Sequence, residues 1–304
     1  MCIYGRPECG KDECGRLIVF VLVTMMTISA ELTRIYELFQ LPFMQRALMG
    51  GVLTGLTGGL MGSFTVVRQL SFFSDALGHS ALLGISMAIL LDFDPGWVLL
   101  PFAVVFALVV TYCLERTGLW TDALLNIIYS ASLAVGSILL SFRDGYENSL
   151  SQLLFGDILA MQGTDLILSG ILLVMCVLFL GLTLRSQLLL TLHEPLARSR
   201  GVAVSAQRTA FIILLALVVG VSIKAIGVLL ISAFVVIPAC TARALGRNFS
   251  HYILASAGIG GLSAALGIVV SALFDFPSGP SIVTVQFVIF MMAVLMPKAR
   301  AATA

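Results

Sequence analysis

The sequence predicts an all-α, polytopic membrane helix bundle of about 8–9 transmembrane helices, and three observations carry that prediction. Of 304 residues, 59% are hydrophobic and only 11% are charged, against about 25% charged in an ordinary soluble domain. Mean hydropathy is +1.07. The apolar runs come in lengths near the ~20 residues that a membrane-crossing helix needs, and none alternates in the way an outer-membrane strand does. The net charge of +1 gives no ground for a nucleic-acid partner. What matters is where the charges fall, because they set topology.

Taken in order, residues 1–16 (MCIYGRPECGKDECGR) are polar, and Cys2, Cys9 and Cys14 lack the C-x-x-C spacing of a zinc site. Residues 17–30 are apolar but short for a span, which leaves a signal-like segment, an interfacial helix or an extra span open. Met25 and Met26 offer a later start. Residues 1–35 are therefore set apart as an N-terminal extension, and 36–298 as one membrane domain. Spans are expected at about 43–67, 72–91, 97–114, 121–142, 165–184, 207–225, 226–245, 251–273 and 281–297. The boundary between the seventh and its predecessor rests on Lys224-Ala225-Ile226-Gly227 alone, so one interrupted helix is the other reading there.

Placing Arg68 on the cytoplasmic side puts Arg116, Arg185, Arg198, Arg200, Arg243, Arg247, Lys298 and Arg300 there too. Asp92, Asp94, Asp144, Glu147 and Asp275 fall outside, as the positive-inside rule asks. Arg46, Arg143 and Lys224 are the exceptions. Glycines at 50, 51, 55, 58, 59 and 62, and at 258, 260, 261 and 267, mark faces where helices approach closely in lipid. Cys113, Cys176, Cys240 and the methionines read as packing residues.

The candidate site lies in Ser63–Ala88. Asp75 and His79 are four residues apart in an apolar run, which places both on one helix face a turn apart. A carboxylate and a neutral imidazole suit a divalent transition metal, and ionisable groups at membrane depth mark ion paths. A helix-capping pair is the bland alternative. Arg143–Gly163 starts polar and continues as LLFGDILA, too short to span, which predicts an outer loop and a short interfacial or re-entrant helix. Asp157 in it meets an arriving cation or caps that helix. The cytoplasmic loop 185–207 predicts a short helix, LHEPLARS, ending at Gly201. His193 and Glu194 are adjacent and so point to different faces, which argues against a metal pair.

Five stretches, in order, carry a resemblance: GSFTVVRQLSFFSDALGHSALLGIS (62–86), LLFGDILA (153–160), LARSRGV (196–202), IKAIGVLLISAFVVIPACTARAL (223–245) and SGPSIV (278–283). From about Pro42 to Pro297 the chain resembles the membrane permease of bacterial ABC importers for zinc, manganese and iron(II). The resemblance implies a multi-pass protein of the bacterial plasma membrane and a homodimer. It implies a cytoplasmic ATPase subunit that carries the ATP, an extracytoplasmic metal-binding protein, and no permanently bound cofactor. It implies that Asp75 and His79 lie on the metal path, and that Glu194, Leu196, Ala197, Arg198 and Gly201 belong to the loop that couples to the ATPase. The chain departs from the family's Asp-Pro-acid order there, with His193-Glu194-Pro195. It also has Ile128-Tyr129-Ser130 where zinc-type members tend to carry a histidine. DALGHSALLGIS, LLDFDPG (90–96) and especially LLFGDILA resemble the zinc-uptake branch more than the manganese one, which implies zinc, with manganese or iron(II) as the alternative.

Two other classes are weighed against this. An intramembrane metalloenzyme needs a third ligand and an activated water; the chain has three histidines and no H-E-x-x-H. An ion-coupled secondary transporter would carry coupling charges at mid-membrane in repeated halves. No such repeat is evident, and no G-x-x-x-x-G-K-[ST] phosphate loop is present either.

Overall fold

A computed structural model describes residues 40–93, 95–142, 156, 158, 161–245 and 248–295. From Arg46 onward they belong to one compact unit; of the unit Met1–Gln45, only the approach to the first helix is described. Ten helices occur among the described residues: α1 Pro42–Val67, α2 Ser71–Leu90, α3 Pro95–Thr117, α4 Thr121–Leu140, α5 Gly163–Leu192, α6 Glu194–Ser199, α7 Val204–Ile226, α8 Ile231–Leu245, α9 Phe249–Phe274 and α10 Ser278–Leu295. Eight are long and apolar enough to cross a membrane. The protein is an all-α polytopic bundle.

α1 and α7 form the centre, with 72% of their apolar windows buried, whereas α4 and α5 bury only 22%. On α5 the exposed residues Ile167, Ile171, Val174, Leu178 and Leu182 recur at helical spacing. Such a stripe suits lipid tails.

The glycine faces do what close packing in lipid requires. A Cβ on Gly59 would lie 2.2 Å from the Ser256 carbonyl oxygen, and one on Gly260 would lie 2.2 Å from that of Gly55. α1 and α9 therefore run backbone to backbone. Ser256 Oγ donates to the Gly59 carbonyl at 2.5 Å, and the Tyr252 hydroxyl to the Ser63 carbonyl at 3.0 Å. These bonds add specificity where the hydrophobic effect cannot separate helix from lipid.

Two sequence expectations are corrected. The expected span 226–245 begins only at Ile231 and has 15 residues, about 22 Å of helix against the ~30 Å hydrocarbon core. Gly227, at φ +90°, ends α7, and a turn separates it from α8. The backbone of this break is covered by protein. Gly156, at φ +68°, lies so close that a Cβ there would sit 2.3 Å from the Gly227 nitrogen. The fully buried Ile158 offers its N–H to Ser278 Oγ at 3.4 Å.

The second correction concerns the span 165–184, which continues as α5 to Leu192, so that most of the expected loop is helical. The run RSQLLLTL keeps forming helix until Pro195, whose ring and missing N–H cannot continue the ladder. Pro195 instead stands in the first turn of α6, where no N–H is needed. Lys224, an exception to the charge sorting, pairs with Asp165 at 3.2 Å.

Candidate metal site

α2 leaves a tight turn after α1 and places Asp75 one turn in and His79 a turn further. His79 Nε2 lies 3.7 Å from Asp75 Oδ1, with the side chains 24% and 31% exposed respectively. The separation is longer than a hydrogen bond. The two groups thus present oxygen and nitrogen lone pairs side by side without saturating each other.

α2 is held on two sides. Gly78, between the pair in sequence, faces the turn ahead of α8, where a Cβ would meet the Val228 carbonyl at 3.2 Å. On another side, Gly136 of α4 comes so near that a Cβ would lie 3.0 Å from the Leu83 nitrogen. This approach brings Tyr129 of α4 over the site. Its ring centroid is 5.3 Å from that of His79 and 6.3 Å from that of Phe72. Tyr129 thus restricts the imidazole's orientation from a separate helix. Among the described residues, no three acidic, histidine or cysteine side chains gather into one cluster. The described residues therefore offer two donors here, half of the tetrahedral set zinc prefers. Asp157 lies outside the described residues.

The second predicted feature is α6. Glu194 accepts from Arg198 at 2.8 Å and from Arg208 of α7 at 2.7 Å. The hydrogen bond from Arg198, joined by the charge of Arg208, holds the Glu194 carboxyl below the usual carboxylate range. Leu196 is exposed at 44%, and Arg198 is also exposed, but Ala197 is fully buried. Of the predicted loop residues, Leu196 and Arg198 thus face solvent, while Ala197 fixes α6 to the bundle. Gly201, at φ +75°, closes α6. Val202 N–H donates to the Ala197 carbonyl and Gly201 N–H to that of Arg198, both at 3.1 Å, the paired bonds of a left-handed helix cap.

Reading the sequence missed the surroundings of Arg68. The side chain is stacked on Phe211 with its guanidinium carbon 4.5 Å from the ring centroid, and it hydrogen-bonds Thr191 and Gln187 of α5. Burial, followed by repulsion from Arg208, brings its pKa down to about 10, so it stays cationic at neutral pH. The only signal in the sequence was a lone arginine between two apolar runs.

With the geometry in place, similarity to known proteins bears on it. The profile of the ABC 3 transport family matches residues 40–297, nearly all of the membrane region. The chain belongs to the ABC 3 transport family. Among this family member's relatives is the high-affinity zinc uptake system membrane protein ZnuB of Haemophilus influenzae. The two are 31% identical over 81% of this chain and 95% of ZnuB. The manganese transport system membrane protein MntC of Listeria monocytogenes is 28% identical over 85% of this chain and 92% of its own. A solved structure, PsaBC from Streptococcus pneumoniae in complex with Fab, superposes with a TM-score of 0.77. Its sequence identity is 26%, over 88% of this chain and 96% of the other.

Proposed function

We propose that this ABC 3 chain is the membrane permease of an ATP-driven importer for a divalent metal, with zinc as the preferred cargo, in the bacterial plasma membrane. The observation that carries the reading is the partly buried, mutually unsaturated pair Asp75 and His79 on a helix packed inside a membrane bundle. Two donors from one chain become four when a second copy faces it, so a homodimer supplies a complete but weak site on its axis. Weakness is required, because cargo must leave as readily as it enters.

ATP is bound and hydrolysed on a separate cytoplasmic subunit that docks against α6, where Leu196 and Arg198 are available. An extracytoplasmic protein delivers the metal to the opposite face. Closure of the ATPase pair then turns the site inward, by alternating access. Asp157 is proposed to meet the cation on entry. Manganese is the second reading. It is favoured by Tyr129, a phenol rather than a further imidazole beside His79, since harder oxygen-rich surroundings suit manganese.

The test is uptake into vesicles containing the permease, its ATPase and its binding protein, comparing zinc, manganese and ferrous iron with and without ATP. ATP-dependent accumulation of one metal is the expected result and names the cargo. Uptake that ignores ATP and follows a proton gradient would replace this reading with an ion-coupled secondary transporter.

A further inference from the structure

Arg68 opens the three-residue turn between α1 and α2, and its side chain lies over Phe64 of α1 and reaches across to α5 and α7. Its Nε donates to Thr191 Oγ1 at 3.1 Å. Its Nη2 donates to the Gln187 carbonyl at 3.3 Å and to Gln187 Oε1. Gln187 is fully buried, and its Nε2 donates to Gln207 Oε1 on α7 at 2.8 Å. Beside Gln207 stands Arg208, which holds Glu194 of α6 at 2.7 Å. Hydrogen bonds thus run from Arg68 through Gln187 of α5 to Gln207 of α7, and the backbone of α7 joins Gln207 to Arg208 and so to Glu194 of α6. The described hydrogen-bond partners of Arg68 are neutral. A charge held by neutral groups and an aromatic face stays put because it has no better place to go.

The step from Arg68 to α2 is stiff. Leu70 N–H donates to the Thr65 carbonyl at 2.9 Å and Gln69 N–H to that of Val66 at 3.3 Å. Gln69 sits at φ +57°, a left-handed position that a residue other than glycine adopts under strain. These two bonds tie the turn directly after Arg68 back to the end of α1. Asp75 follows one helical turn later.

We propose that Arg68 is the positioning residue that links movement of α6 to the metal-binding pair. A shift of α6 carries the cytoplasmic end of α5, and Arg68 passes that shift to α2, changing how Asp75 and His79 face the path. The inference rests on the importer reading and adds a residue to it.

The test uses the assembled complex of permease, ATPase and binding protein in vesicles, measuring metal taken up per ATP hydrolysed. Arg68→Gln is expected to keep the complex assembled and ATP hydrolysis near wild type. Metal taken up per ATP should fall about tenfold, within the range that couplings between sites span. Arg68→Lys keeps the charge but loses the planar fork, and should fall with it. Gln207→Ala, at a partly exposed position, interrupts the same chain without touching the turn. It should lower the ratio too, and add nothing when combined with Arg68→Gln. In parallel, hydrogen exchange along residues 71–90 should respond to ATP in the wild-type complex and not in Arg68→Gln. An unchanged ratio in Arg68→Gln, or additive losses in the double variant, overturns the link. Should Arg68→Gln fail to assemble, Gln207→Ala decides alone, and a wild-type ratio there overturns the link. A wild-type complex with no ATP-driven uptake removes the importer reading, whereas uptake with an ATP-blind α2 removes only the link.

Discussion

Two glycines on α9, two residues apart, separate close packing from helix propensity. A Cβ on Gly260 would lie 2.2 Å from the Gly55 carbonyl oxygen, whereas ordinary contact begins near 3.4 Å. Gly260→Ala therefore drives α9 off α1 by about an ångström, and the atom it meets is backbone, which cannot swing aside. At such a gap each neighbouring contact loses a quarter to a half of its attraction, and the bond from Ser256 to the Gly59 carbonyl stretches. Overpacking of this kind costs about 1–3 kcal/mol, offset by the ~0.5–1 kcal/mol that alanine returns over glycine within a helix. The net expectation is a loss of about 0.5–2 kcal/mol. Gly258 has nothing within 4 Å of its own Cβ position, so Gly258→Ala should gain the propensity term alone. The assay is thermal inactivation in detergent, followed by the fraction of each variant that stays monodisperse on size exclusion after heating. Equal behaviour of the two variants, or a Gly260→Ala protein as heat-resistant as wild type, would refute the backbone-to-backbone account.

Three further outcomes are expected. Asp75→Asn and His79→Ala should each lower metal uptake by more than about tenfold, at least the lower end of what disturbing outer-shell groups costs, while the complex still co-purifies with its ATPase. Normal uptake by both would remove the pair from the path. Gly156→Ala should cost more than about 2 kcal/mol, because left-handed strain adds to a clash with backbone at Gly227. Gly163→Ala, which meets nothing within 4 Å, serves as its neutral control in the same heating assay. Because the Glu194 carboxyl is depressed by Arg198 and Arg208, the pairing that holds α6 is fully present above the ordinary carboxylate pKa. It is lost as pH falls through the lowered value, so intrinsic-rate-corrected hydrogen exchange of residues 194–199 should stay flat at neutral pH and rise only at pH below the ordinary glutamate range. Glu194→Gln should erase that step.

The spans were legible because apolar length is a local property, and lipid enforces it. Their ends were less so. IKAIGVLLISAFVVIPACTARAL carries no charge between Lys224 and Arg243, and its break depends on one backbone angle at Gly227 and on Gly156 fitting against it. Arg185 marked the edge of the membrane for α5, but a helix ends where its hydrogen bonds fail, at Leu192 ahead of Pro195 and not at the lipid surface. Asp75 and His79 could be paired from spacing alone. Tyr129 entered the sequence reading only as a departure from a zinc-type pattern, since its contact with His79 is made between helices and leaves no trace in either one's periodicity. Arg68 was read only as a charge that orients the chain. Its partners Gln187 and Thr191 lie 119 and 123 residues away, beyond the reach of any local pattern.

The 30 residues of α5 make a rod of about 45 Å, some 15 Å longer than the hydrocarbon it crosses. Counted from Gly163, a ~30 Å span ends near Leu182, and the last turns with α6 form a stalk beyond it. Reconstituted vesicles hold proteins facing both ways, and the stalk tells them apart. An arginine-directed protease added outside cuts at the exposed Arg198 or Arg200 only in chains whose stalk points outward. The fraction left whole at those bonds counts the chains oriented the other way, and every transport rate has to be divided by the fraction facing the right direction before it describes one molecule.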